Sequence, residues 1–193
     1  GRQLEQDLNS WWRRTVRDEF GLESVLEVEF ETHFKRFLMP TIRGSDKGSK
    51  KRYAGVVAGP KGDRLVFKGL ENVRTDWTRV AREFQEELYR RIFMQEPFED
   101  YVRQVTAEVL AGQRDAQLVY RKRLRRRLDD YERNVPPHVQ AARLCAERKL
   151  PVPSRGSWVE YVITNGGAEP VAGTLAPLDY QHYVDRQLEP VAD

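Results

Sequence analysis

Hydrophobic and polar positions change period near residue 76. Before it, Leu4, Leu8, Trp11 or Trp12, Val16 and Phe20 recur at three- and four-residue spacings and Gly21 follows as a stop, which predicts an amphipathic helix over residues 3–20. From Val25 to Glu31 the pattern alternates, with Leu26, Val28 and Phe30 on one side and Glu27, Glu29 and Glu31 on the other, which predicts a half-buried strand. Residues 34–39 predict a second strand. Residues 41–49, rich in Gly, Ser and Asp, predict a loop, and 52–58 predict a third strand. The turn Gly59-Pro60-Lys61-Gly62 joins that strand to 64–67 as a hairpin.

Past Asp76 the apolar spacing lengthens to about 3.6 residues, the helical period. Asp76 is the expected N-cap of a helix burying Val80, Phe84, Leu88 and Ile92. Pro97 opens a second helix carrying Tyr101, Val105 and Val109, closed by Gly112. Residues 118–128 read as a basic extended stretch. Pro136 and Pro137 then start a helix through Val139, Ala142 and Cys145, and after the break at Pro151 and Pro153 a strand over 157–164 and a last helix over 179–191 follow. The boundary between the two halves is expected near residues 72–76.

Composition narrows the classes. With 39% hydrophobic and 33% charged residues, disorder and membrane insertion are both poor readings, and no apolar run approaches the roughly 20 residues a membrane helix needs. The first residues lack the layout of a secretory signal and read as helix. A single cysteine, Cys145, precludes an internal disulfide and fits a reducing compartment; on an apolar helix face it reads as a core thiol. The formal net charge of +3 is modest, so the placement of the cations matters more than their sum.

They are clustered. Lys50-Lys51-Arg52-Tyr53 and the run Lys68-Gly69-Leu70-Glu71-Asn72-Val73-Arg74-Thr75-Asp76-Trp77 both lie where a hairpin hands over to helices, placing cations and an aromatic ring on a rigid platform. A groove for nucleic-acid backbone needs such a platform. Further on, residues 121–127 hold six cations in seven positions. Taken alone, each run also reads as a solvated charged surface, and the basic strip leaves two other classes open: a stand-alone nucleic-acid-binding module, or an interaction domain for an acidic partner. Glu27, Glu29 and Glu31 share one strand face about 7 Å apart; on pattern alone this is a solvated face. His33 and His182 have no second ligand at metal spacing.

The two basic runs in this order, with Arg121–Arg127 and Pro136-Pro137-His138-Val139 after them, resemble the family B DNA polymerases over essentially the whole chain. The resemblance is confined to the C-terminal part of such an enzyme, the end of the palm and the thumb. It implies an α+β fold: a small antiparallel palm sheet with one helix over residues 1–73, then a mainly helical thumb over 74–193. It implies that Lys51 enters the minor groove at the primer terminus and Tyr53 lies against the primer backbone. Lys50, Arg52, Lys68, Gly69 and Arg74 complete that surface, and Arg121, Arg123 and Arg126 follow the duplex backbone. Purine N3 and pyrimidine O2 both accept from a lysine in every correct pair, so such a contact checks geometry without reading sequence. Thr75 replaces an arginine that many members carry beside Arg74, which puts one phosphate contact in doubt. Tyr131 and His138 resemble an internal packing motif of the thumb.

Glu31, with Glu29 second, matches an acidic position beside the catalytic metal pair and is expected to be an accessory carboxylate. The aspartates that hold Mg²⁺ belong to motifs absent from these 193 residues, so the chain alone is expected neither to hold the metal nor to catalyse. The resemblance further implies primer-template DNA and the remaining polymerase domains as partners, a cytoplasmic setting in a bacterial cytosol or nucleoid, no membrane, and no clamp-binding peptide before Asp193.

Overall fold

The computed structural model describes residues 1–41, 48–49, 51–133 and 135–192. The chain divides into two compact units, Gly1–Phe37 with Gly55–Val66, and Leu38–Ala54 with Phe67–Asp193.

In the first unit, helix α1 (Arg2–Phe20) ends at Gly21, as its periodicity predicts. The expected strand over 25–31 does not form. Residues 22–34 form no regular element, and side chains of α1 take the place of a strand neighbour. The Asn9 amide donates to the Val28 carbonyl (2.9 Å) and accepts from the Val28 N–H (2.8 Å), while Glu5 accepts from the Phe30 N–H (3.2 Å). Residues four apart on a helix rise about 6 Å and residues two apart on a strand about 6.6 Å, so Glu5 and Asn9 match an alternate-residue edge. Lys35 is tied to the hairpin turn through Asp63 (2.6 Å).

Strands β1 (Arg36–Leu38), β2 (Tyr53–Val57) and β3 (Arg64–Lys68) form a sheet in that order.

The second unit holds a continuous core. Helix α2 (Arg79–Met94) begins two residues later than expected: Thr78, not Asp76, is the N-cap. Thr78 is fully buried and its Oγ1 faces the Ala81 N–H, whereas the Asp76 carboxylate is drawn away by Arg74. Helix α3 (Glu99–Leu110) starts after Pro97 rather than on it, since Phe98 is the N-cap. The basic stretch contains strand β4 (Tyr120–Arg123). It pairs antiparallel with β5 (Trp158–Thr164), which pairs in turn with β6 (Gly167–Pro170), so this unit carries a three-stranded sheet beside its helices. Four-residue β6 is too short and too poor in β-branched residues to be read from periodicity. Helix α4 (Pro137–Glu147) opens on Pro137, whose missing N–H would be unpaired there in any case.

The last helix is interrupted. Between α5 (Tyr180–Tyr183) and α6 (Glu189–Ala192) the turn Val184–Leu188 is π-helical. The wider turn faces Gln187 inward, where its Oε1 accepts from both the Thr78 N–H (3.0 Å) and the Thr78 hydroxyl (2.8 Å).

Phe84, Val105, Val109, Leu118, Leu124 and Val139 are all at most 1% exposed, and each buried side chain of this size contributes about 1.5–3 kcal/mol. Tyr120 stacks between Tyr161 (5.2 Å) and Tyr183 (5.7 Å), and the Tyr183 hydroxyl accepts from the Ile163 N–H (2.7 Å). Burial raises all three phenols, that of Tyr161 to about 12. Cys145 is buried here, as expected, and burial pushes its thiol up.

Candidate nucleic-acid interface

The first basic run meets the second at the base of the β2–β3 hairpin. Gly69 has φ +67°, and a Cβ built on it would lie 2.4 Å from the Lys51 carbonyl oxygen. Only glycine allows that approach, and it holds Lys51, whose side chain is exposed, against a fixed backbone. Lys68 lies 6.0 Å over the Tyr53 ring, within reach of a cation–π contact. Lys50 lies outside the described residues.

Arg52 turns away from this cationic edge. Its guanidinium Nη2 donates to the Glu71 carboxylate. Glu71, 4% exposed, also accepts from Gln85 Nε2 (2.8 Å), and Gln85 Oε1 accepts from the Asn72 N–H (2.8 Å). The three side chains line an open cleft of about 820 Å³ together with Trp77, Leu88 and Tyr89.

Arg74 forms a two-pronged pair with Asp76, Nε to Oδ1 at 3.0 Å and Nη2 to Oδ2 at 2.8 Å. Hydrogen bonding to Arg74 holds the Asp76 carboxyl below its usual range, with Lys122 adding to the effect, and the same bond raises Arg74. The fork leaves one guanidinium edge free of Asp76.

The basic strip of residues 121–127 is less uniform than its sequence. Arg121 packs its guanidinium over Trp158 (4.7 Å to the ring centroid) and lies 3.6 Å from Glu160, while Arg123 Nε donates to the Gly156 carbonyl (2.8 Å). Leu124 is fully buried and anchors the strip. Arg126 is exposed, and its backbone N–H donates to the Tyr131 hydroxyl (3.3 Å). Arg143 was not singled out from the sequence, yet it supports this segment from α4, donating to the carbonyls of Leu128 (3.2 Å) and Tyr131 (2.8 Å). A lone arginine on a helix gives no sign of a partner 12 residues away. His138, 6% exposed, packs edge-on against Tyr131, and burial lowers its pKa, with Lys122 contributing.

Glu29 and Glu31 are exposed in the first unit, on the segment that forms no strand. Among the described residues no group of three His, Cys, Asp or Glu could hold a metal ion. No described helix is long and apolar enough to cross a membrane.

Three comparisons bear on this surface. The sequence model of the family described as "DNA polymerase family B" matches residues 14–191. DNA polymerase II of Escherichia coli (strain K12) is 56% identical over 199 residues, covering 100% of this chain and 25% of that protein. DNA polymerase 2 of Aeropyrum pernix is 34% identical over 75% of this chain, and 19% of that protein is spanned. Among solved structures, the family B DNA polymerase from the hyperthermophilic archaeon Pyrobaculum calidifontis superposes with a TM-score of 0.63 at 26% identity, over 95% of this chain and 23% of that one. The chain therefore spans about a quarter of the length of these relatives. The match extends through both basic runs, the basic strip of residues 121–127 and the start of α4, and the chain belongs to DNA polymerase family B.

Proposed function

We propose that this chain is the end of the palm (1–73) and the thumb (74–193) of a DNA-directed DNA polymerase, and that its share of the work is grip. Lys51 donates to minor-groove acceptors of the terminal primer pair, Tyr53 lies against the primer backbone, and Lys68, Gly69 and Arg74 extend that surface. Arg121, Arg123 and Arg126 follow the phosphates of the duplex. Such contacts keep the primer 3′ hydroxyl in line with the incoming nucleotide. The observation that carries this reading is the close packing of Gly69 on the Lys51 carbonyl, which fixes the backbone while a long cationic side chain stays free to reach. Glu31, with Glu29 second, is proposed as an accessory carboxylate. No chemical step is assigned to a metal held by this chain; in this reading Mg²⁺ belongs with aspartates elsewhere in the enzyme. The DNA-binding role and the catalytic silence of the isolated chain belong to the same proposal, as does a cytoplasmic setting.

Replacing Lys51 with alanine in the complete polymerase removes a charge-assisted hydrogen bond worth about 1.5–3 kcal/mol. The extension rate should fall roughly tenfold to a hundredfold, with mismatched termini hurt less than matched ones. Lys61→Ala, at the hairpin tip, serves as the control. A Lys51→Ala enzyme with normal extension rate and normal DNA affinity defeats the reading.

A further inference from the structure

Glu71 and Gln85 are buried polar residues that make no contact with the proposed DNA surface, yet they are joined to it through Arg52. We infer that Glu71 and Gln85 are positioning residues for the primer-terminus contacts, aiming Lys51 and Tyr53 through the guanidinium that lies between them in sequence. This rests on the grip reading of Lys51 and Tyr53.

Burial of a carboxylate is costly unless it is paired and hydrogen-bonded. At Glu71 both oxygens are used, one by Arg52 Nη2 and the other by Gln85 Nε2 at 2.8 Å. Gln85 is 1% exposed on α2, and its remaining carbonyl oxygen accepts from Asn72 N–H at 2.8 Å. The chain of bonds thus runs from the thumb helix to the turn Glu71–Val73 and then to Arg52. Buried ion pairs are weak contributors to net stability, since apolar side chains of the same volume often do as well. What such a pair supplies here is geometry.

Packing alone would not supply it. Arg52, Glu71 and Gln85 stand on the wall of the 820 Å³ cleft, and the Arg52 side chain is 38% exposed. With one side of Arg52 facing that opening, the carboxylate is what fixes its direction. Fixing Arg52 turned inward constrains the residues on either side of it. Lys51 lies in the turn and Arg52 immediately precedes β2, so an Arg52 side chain held by Glu71 restrains the stretch of backbone that carries Lys51 into the strand at Tyr53. The Gly69 contact sets where the Lys51 backbone lies; the Arg52–Glu71 pair sets how it is rotated.

The test uses the complete polymerase and single-turnover primer extension across a range of DNA concentrations, with Lys51→Ala, Glu71→Gln, Gln85→Leu and their double mutants with Lys51→Ala. Glu71→Gln is expected to lower the maximal extension rate about five- to tenfold, which is about 1–1.4 kcal/mol, with less than about a threefold change in DNA Kd. In the Lys51→Ala background the same change should cost less than about twofold, because residues acting through one another are non-additive. Gln85→Leu should behave alike with a smaller effect. Amide hydrogen exchange at residues 51–53 should quicken in Glu71→Gln and Gln85→Leu. If Lys51→Ala is slow while Glu71→Gln and Gln85→Leu extend normally, or if their effects add fully to that of Lys51→Ala, the positioning role is wrong and the grip reading stands. If Lys51→Ala extends normally, the grip reading falls and the positioning role with it. Should Glu71→Gln not fold, Gln85→Asn and Arg52→Lys, which keep the polar groups and shift their reach, must show the same non-additivity, and additive losses in them overturn the inference.

Discussion

Residues 158–164 and residues 25–31 both carry an alternating pattern, but only the first form a strand, and their surroundings differ. Strand β5 has β4 hydrogen-bonded along one side and β6 along the other, and Val159, Tyr161 and Val162 are buried. The segment 25–31 has Glu5 and Asn9 of α1 along the edge made by Val28 and Phe30. Among the described residues no hydrogen bond is made by the backbone of Glu27, Glu29 or Glu31, and Val25, Leu26, Val28 and Phe30 are exposed. A strand is a relation between neighbours. The second unit holds its own neighbours, and there the core closes; in the first unit the apolar side of the segment is uncovered.

Substitutions can break this contrast. The largest effect is expected at Tyr183, fully buried in the core of the second unit. Tyr183→Ala should cost about 3–5 kcal/mol in denaturant unfolding, whereas Phe20→Ala, at a side chain 67% exposed, should stay within about 0.5 kcal/mol. Equal losses at the two sites would erase the distinction between the units. Next comes Gln187→Leu, which leaves the buried Thr78 N–H and hydroxyl without their acceptor and should cost about 1–3 kcal/mol, measured by the same unfolding curves. Asn9→Ala sharpens the comparison from the other side. Its two bonds to Val28 are only part-buried, so a loss of about 0.5–1.5 kcal/mol is expected, visible as faster amide exchange at Val28 with exchange at Ile163 unchanged.

The smallest effect concerns acid. His138 and His182 both have lowered pKa values, chiefly through burial. A histidine whose folded pKa lies below its unfolded value of about 6.5 binds protons more readily when unfolded. Its contribution is therefore intact above that pH and is lost progressively as pH falls through the folded value. Thermal melts between neutral and mildly acidic pH should show the decline, and His138→Gln should reduce it; a flat profile would mean that neither ring is held neutral by the fold.

Most of the helices were legible in the sequence because their apolar stripes repeat over several turns. Val80, Phe84 and Leu88 mark α2, and Pro137 marks the start of α4. Failures occur where a side-chain partner that the periodicity does not encode intervenes. Asp76 is a sound N-cap candidate until Arg74 claims its carboxylate. The alternation of 25–31 is real, but it encodes readiness for a neighbour rather than the neighbour itself. The π-turn follows from Gln187 reaching Thr78 across 109 residues, which no local pattern contains. At the candidate interface, the sequence marks the cations but not which are already engaged: Arg52 by Glu71, Arg74 by Asp76, Arg121 by Trp158 and Glu160.

The glycine at the hairpin base also bears on how freely this protein can vary. At Gly62, in the turn, φ is +111° and nothing lies within 4 Å of a built Cβ, so a replacement there meets only the conformational cost of a left-handed residue, about 1–2 kcal/mol. Gly69 meets that cost and also a carbonyl oxygen 2.4 Å away, part of a main chain that cannot swing aside as a side chain would. In a library randomised along the hairpin, the tip should therefore accept many residues and position 69 should return glycine alone, so that a single methyl group sets the limit of variation for the residues beside it.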